Sequence, residues 1–202
     1  MIKMSIKKLE KNLGFKIKRN VFCLGVDTAS TTGLAMVSVD SKYIEVETDI
    51  IHLPVLSRKT ANDMDKAEKY ENAISRLTGL IKGFNYKIRP KMKSIMILEQ
   101  SYLQRNPETF GYLRCCQGLY YAHLHAHFNE IKIWLPGTVR KMVGFHSNIT
   151  RQKGLTSKEK TQLRKAKKQE IIDFVNNVLK SKITDDNEAD AIMLVFAGLK
   201  EV

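Results

Sequence analysis

No run of eighteen apolar residues occurs in the 202-residue sequence, so no segment is long enough to cross a bilayer as a helix. The opening stretch MIKMSIKKLEKNLGFKIKRN also lacks the continuous apolar core of a secretory signal. Cysteine is scarce. Cys23, Cys115 and Cys116 leave one thiol over from any pairing, and sequence neighbours rarely bridge, which points to a reduced, intracellular protein. No CxxC pair exists to build a structural zinc site, and the phosphate-cradling pattern GxxxxGK[ST] is missing. The alternating HLHAH at 123–127 has no glutamate at zinc-protease spacing. On a helix His123 and His127 share a face while His125 points away, which suits a surface or subunit contact better than a metal. Repeats and low-complexity linkers are absent, and the length fits one domain with a sizeable core.

What the sequence has in excess is positive charge. Thirty-four Lys and Arg against twenty-one Asp and Glu give a formal net charge of +13. Such an excess favours a polyanionic partner, because each neutralised phosphate releases condensed counterions. The charge is also unevenly placed. Arg151 to Lys168 carries eight basic residues and one acid, Glu159, and Lys3 to Arg19 is similarly biased, whereas acids gather in the DDNEAD run at 185–190.

Hydrophobic periodicity predicts an α/β fold. In residues 1–20, Ile2, Ile6, Leu9 and Leu13 fall at helical spacing, so this segment reads as a basic extension with a short amphipathic helix, ahead of a domain over 21–202. Val21 to Val26 is a buried strand ending at Asp27; 34–40 and 43–51 are two more strands, completing a meander. Ala61 to Phe84 has helical periodicity. Ser94 to Leu98 is a buried strand ending at Glu99. Pro107 to Phe128 is a long helix with Asn106 as its predicted N-cap, and Ile131 to Leu135 a strand stopped by a turn at Pro136-Gly137. Short and long helices follow over Thr138 to Val143, Ala166 to Leu179 and Asp186 to Leu199. The order is βββαβαβαα around a mixed five-stranded sheet.

Two acids, Asp27 and Glu99, stand at the carboxyl ends of buried strands, the edge where open α/β sheets place their sites. A third acidic element opens the last helix. Helix capping and the helix dipole account for Asp185, Asp186 and Glu188 without any function. They account less well for Asp190, one turn further in at the margin of the apolar AIMLVFAGL. Asp186 and Asp190 share a helix side and repel each other unless a cation lies between them. Magnesium, bound by oxygen at about 2.0–2.1 Å, supplies that charge, and two ions roughly 3.5–4 Å apart can activate a water and stabilise a leaving phosphodiester oxygen.

Four blocks in this order resemble the RuvC-type Holliday junction resolvases of the RNase H-like superfamily, including phage, viral and organellar members. They are GVDTASTTGLA, ILEQSYL, LPGTVRKMVG, and AKKQEIIDFV with DDNEADAIMLVFAGL, spread over Val21 to Leu199. The resemblance implies an RNase H-like fold and a Mg²⁺- or Mn²⁺-dependent endonuclease that introduces paired nicks in branched DNA. It implies Asp27, Glu99 and Asp190 as ligands of what are expected to be two ions. The family's fourth acid commonly sits three residues before the last Asp, where this chain has Asn187. A spacing of four selects Asp186, with Asp185 and Glu188 as alternatives. Lys168 matches the family's active-site lysine, with Lys165 or Lys167 as substitutes in the alignment, and Arg140 or Lys141 matches a phosphate contact. Tyr102 matches an aromatic at the junction centre, although core packing would equally explain it. Arg151, Lys153, Lys165 and Lys167 are expected DNA contacts, and the basic stretch from Phe145 to Lys165 is expected to fold over a DNA arm or to lack order without DNA. The helix over 108–128, with Leu113, Leu119, Tyr120, Tyr121 and Leu124, resembles a dimerisation helix, and a two-fold dimer would suit a four-way junction. The setting implied is a bacterial or host cytoplasm, or an organelle.

Three other readings compete. The same fold and acids serve nucleases of RNA or RNA–DNA hybrids. GVDTASTTG also fits the first phosphate motif of the actin and sugar-kinase fold, but those proteins are far longer and carry a second such lobe. A non-catalytic DNA-binding protein would not need acids at every candidate position.

Overall fold

The computed structural model describes residues 1–29, 31–52, isolated positions between 68 and 88, 91–100, 107–149 and 154–202. Alternating and continuous apolar runs build six strands: β1 (Ile2–Ser5), β2 (Val21–Asp27), β3 (Thr31–Val39), β4 (Tyr43–His52), β5 (Lys93–Glu99) and β6 (Glu130–Trp134). They form one sheet in the order β1-β4-β3-β2-β5-β6. The β1 to β2 half is antiparallel, and β2, β5 and β6 run parallel. The helices are α1 (Ile6–Leu13), α2 (Pro107–Leu124), α3 (Pro136–Val143), α4 (Ser157–Leu179) and α5 (Asp186–Glu201), with a 3-10 turn at His125–His127 after α2.

The sheet has two apolar faces because it is covered on both sides. Cys23, Ile95 and Ile97 face a core shared with α1, α3, α4 and α5. Phe22, Leu24, Val26, Met96 and Leu98 point the other way, onto Cys116, Tyr120 and Leu124 of α2. This period-2 split of β2 and β5 is what determines which side carries the chemistry.

The mixed α/β sheet agrees with the sequence reading, but it has six strands rather than five. The sixth comes from the segment expected to be an extension. Ile2 to Ser5 pairs with Tyr43 to Val46, and Ile6, Leu9 and Leu13 bury the predicted amphipathic face of α1. Four residues carry too little alternation to announce a strand. Helix α4 starts at Ser157, nine positions before the predicted start at Ala166. A capping box opens it, with the Thr156 hydroxyl accepting from the Glu159 N–H while the Glu159 carboxylate accepts from the Thr156 N–H. Its first turns are almost wholly polar, so apolar periodicity could not reveal them. Pro136-Gly137, read as a turn, forms the first turn of α3, where Pro lacks only an N–H that would have had no partner. The predicted helix at Ala61 to Phe84 and the Asn106 cap lie largely outside the described residues. Among the described residues no helix is long and apolar enough to cross a membrane.

Candidate active site

Strand parity builds the centre of the site. Val26 of β2 lies opposite Leu98 of the parallel β5, so Asp27 and Glu99 are the next residues on two adjacent strands. Both follow the parity of Gly25 and Ile97 and therefore face α5. Two glycines let that helix come close. A Cβ at Gly33, the cross-strand partner of Asp27, would sit 2.0 Å from the Asn187 carbonyl oxygen. One at Gly25 would sit 2.3 Å from the Ala191 oxygen. The α5 backbone thus rests directly on β2 and β3, which brings Asp190 beside the two strand-end acids.

The electrostatics couple these acids to their neighbours. Asp27 is buried, with 8% of its surface exposed. Burial, then Glu99 and Asp190, push its carboxyl well above the usual carboxylate range. Glu99 is pushed up to about 7 by burial first and Asp190 second. The Asp27 and Glu99 carboxyls are close enough to interact directly, so the pair holds a proton more tightly than a solvated carboxylate does. Asp190 is raised chiefly by burial, and Asp186 adds to this, while Arg140 and Lys168 oppose it.

Two cations border the cluster. The Arg140 guanidinium approaches Asp190 at 3.9 Å and also lowers the proton affinity of Glu99. Lys168 of α4 binds Asp186 directly. Burial works against its charge, but Asp186, Asp190 and Asp27 together hold the ammonium above its ordinary pKa. The candidates for fourth acid now separate. Asp185 is the N-cap of α5, accepting from the Asn187 and Glu188 N–H groups. Glu188 accepts from the Thr48 hydroxyl at 2.8 Å, and the Asn187 amide donates to Asp185 at 3.1 Å. Asp186 is the one of these that acts on Asp190.

Other expected residues are less central. Lys141 sits in the last turn of α3 and is exposed. Lys165 and Lys167 lie within a turn of Lys168 on α4, and neither is an ion-pair partner of the acids. Tyr102, Arg151 and Lys153 fall outside the described residues. In α2, Tyr120 and Leu124 belong to the core, so they cannot line a subunit interface; Tyr121 is exposed and stacks on His125. Within the basic stretch 145–165, Phe145 packs edge-on against Phe174, and residues from Ser157 onward are helical.

The sequence reading also passed over some residues. Gln117 of α2 donates to the Glu99 backbone carbonyl at 3.3 Å and accepts from Arg114 at 2.8 Å, fixing the end of β5 from the opposite face. A buried amide in an otherwise apolar helix face was its one available signal. Gly25 and Gly33 had the signal of glycine inside a strand, which marks close backbone approach.

A hard cation is the group that buried, mutually repelling carboxylates call for, so the donor chemistry fits magnesium or manganese. Among the described residues, however, no three such side chains converge tightly enough to hold an ion as they stand. The fit is one of donor type and neighbourhood.

The acids thus gather where the central parallel strands of a mixed α/β sheet end. No protein-family model matches the sequence, and no curated protein matches it. Solved structures do match in fold. Thermus thermophilus RuvC in complex with Holliday junction substrate aligns with a TM-score of 0.56 at 12% identity, over 88% of this chain and 92% of RuvC. A second structure of T. thermophilus RuvC aligns with a TM-score of 0.55 at 14% identity and the same coverage. The yeast mitochondrial Holliday junction resolvase Ydc2 aligns at 0.46 and 14% identity, over 95% of this chain and 83% of Ydc2. The chain has the RNase H-like fold of RuvC.

Proposed function

We propose that this protein is a metal-dependent endonuclease that resolves Holliday junctions or other branched DNA by paired phosphodiester hydrolysis. The observation carrying this reading is the placing of Asp27 and Glu99 at the ends of adjacent parallel strands beneath the start of α5, where burial raises the proton affinity of all three acids and Asp190 adds to that of the other two. RuvC, which shares the fold, has been solved with a Holliday junction substrate. Asp27, Glu99, Asp190 and Asp186 would hold two Mg²⁺ or Mn²⁺ ions, which when bound supply an activated water and neutralise charge on the phosphate. Lys168 and Arg140, paired with Asp186 and Asp190, would stabilise the phosphate charge that develops during hydrolysis. Lys141, Lys165, Lys167, Arg151 and Lys153 are proposed backbone contacts, and Tyr102 a stacking residue at the branch point.

A homodimer through α2 is part of this reading. Its face would be the exposed line of Gly111, Cys115, Gly118 and Ala122, with Tyr121 beside it, rather than Tyr120 or Leu124. The described cysteines are free, which supports a reduced intracellular setting. The test is cleavage of a synthetic four-way junction, a matched duplex and an RNA–DNA hybrid. Junction cutting supports the proposal; cutting of the hybrid alone would move the protein to the RNase H class. The fourth ligand is tested by Asp186→Asn, which should abolish cutting, against Asp185→Asn and Glu188→Gln, which should chiefly affect stability.

A further inference from the structure

Helix α4 has two unlike halves. Ile171, Ile172, Val175, Val178 and Leu179 bury the second half in the core. From Ser157 to Gln169 the helix is exposed apart from half-buried Leu163 and Lys167. This outer half runs for about 20 Å at 1.5 Å per residue. It carries Lys158, Lys160, Arg164, Lys165, Lys167 and Lys168. At roughly 100° per residue all six fall within one half of the circumference. The segment's one acid, Glu159, and Glu170 just beyond it lie on the other half and are already engaged. Glu159 closes the capping box, and Glu170 accepts from the Ser147 hydroxyl and the Asn148 N–H. Among the described residues none of the five cations beyond Lys168 has a carboxylate within ion-pair distance.

Lys160, Arg164 and Lys168 form a spine at four-residue spacing, which places like charges side by side. A face meant only for solubility would interleave signs. The helix nonetheless forms, because it grows from a buried nucleus at one end and a capping box at the other. The spine ends at the acidic cluster, where Lys168 binds Asp186. Its members are about 6 Å apart along the axis, close to the step between successive phosphates of one strand.

We infer that the outer half of α4 is a preformed arm that follows the phosphates of one DNA strand leading away from the acidic site, with Lys160 and Arg164 as its main contacts. This rests on the nuclease reading for the identity of the strand. It assigns Lys160 and Arg164 a role that spacing along the sequence did not single out, and it makes the arm a determinant of duplex length on one side of the cut.

The test is equilibrium binding of the full chain to a four-way junction and to a matched duplex, without divalent metal, across a range of NaCl concentrations. Alanine is the better helix former, so Lys160→Ala/Arg164→Ala removes charge without weakening the helix. The slope of log affinity against log salt should fall by about 2 in that variant, near 0.9 per lost phosphate contact. Lys7→Ala/Lys11→Ala removes the same charge from α1, which packs at the other end of α4 through the Asn12 bond to Val178, and should keep the wild-type slope. An unchanged slope in the Lys160/Arg164 variant, or equal losses in both variants, would overturn the arm. Junction preference with an unchanged slope leaves the nuclease reading standing and removes the arm. The predicted loss on both DNAs without junction preference does the reverse.

Discussion

Burial and neighbouring acids raise the proton affinities of Asp27 and Glu99, and that arrangement has a consequence for stability. Their folded-state proton affinities are raised, so the folded chain keeps protons that the unfolded chain releases above about pH 4.5. The stability this contributes is present at low pH and is lost as pH rises through about 7. For Glu99 the difference amounts to roughly 3 kcal/mol. In thermal melts without divalent metal, Glu99→Gln should therefore melt above wild type at pH 8 and close to it at pH 4.5. Equal differences at both pH values would contradict this account. Because loading an ion must displace protons held on these raised carboxyls, apparent Mg²⁺ affinity should also rise between pH 6 and pH 8, and calorimetric titration at the two values checks it. At this scale the positions of Asp27 and Glu99 at strand ends were legible in the sequence. Asp186 was legible only as one of several helix-start acids, since capping accounts for all of them until the partners of Asp185 and Glu188 are seen.

Among the elements, α5 depends on the two glycines beneath it. Gly33→Ala would put a methyl group against backbone, the kind of overpacking that costs about 1–3 kcal/mol. It should lower the urea midpoint and, by lifting Asp190 and Asp186 from Asp27, reduce cutting more than the stability loss explains. Gly111→Ala is the contrast. It lies in α2 with nothing within 4 Å of the added Cβ among the described residues, and should raise stability by roughly 0.5–1 kcal/mol. A Gly33→Ala protein with the wild-type midpoint would show that the close approach is not needed. The strands and α5 were readable because burial imposes apolar patterns on them. β1 and the outer half of α4 were not, the first being too short and the second having no buried face.

For the whole molecule, a formal net charge of +13 accompanies a small acidic centre. Under the proposed function, long-range attraction would draw in a polyanion, while the acids would repel its backbone without bound cations. The proposed nuclease reading therefore predicts that binding and cutting can be separated. The measurement that tests it most directly follows cleavage and binding of a four-way junction by wild type and Asp27→Asn, with and without Mg²⁺. The account predicts Mg²⁺-dependent nicks on two opposed strands by wild type. Asp27→Asn should bind the junction as well as wild type but cut it about 1000-fold more slowly, as expected when several kcal/mol of metal-assisted stabilisation is removed. Cutting by Asp27→Asn at the wild-type rate, or cutting by wild type that does not depend on a divalent ion, would contradict it.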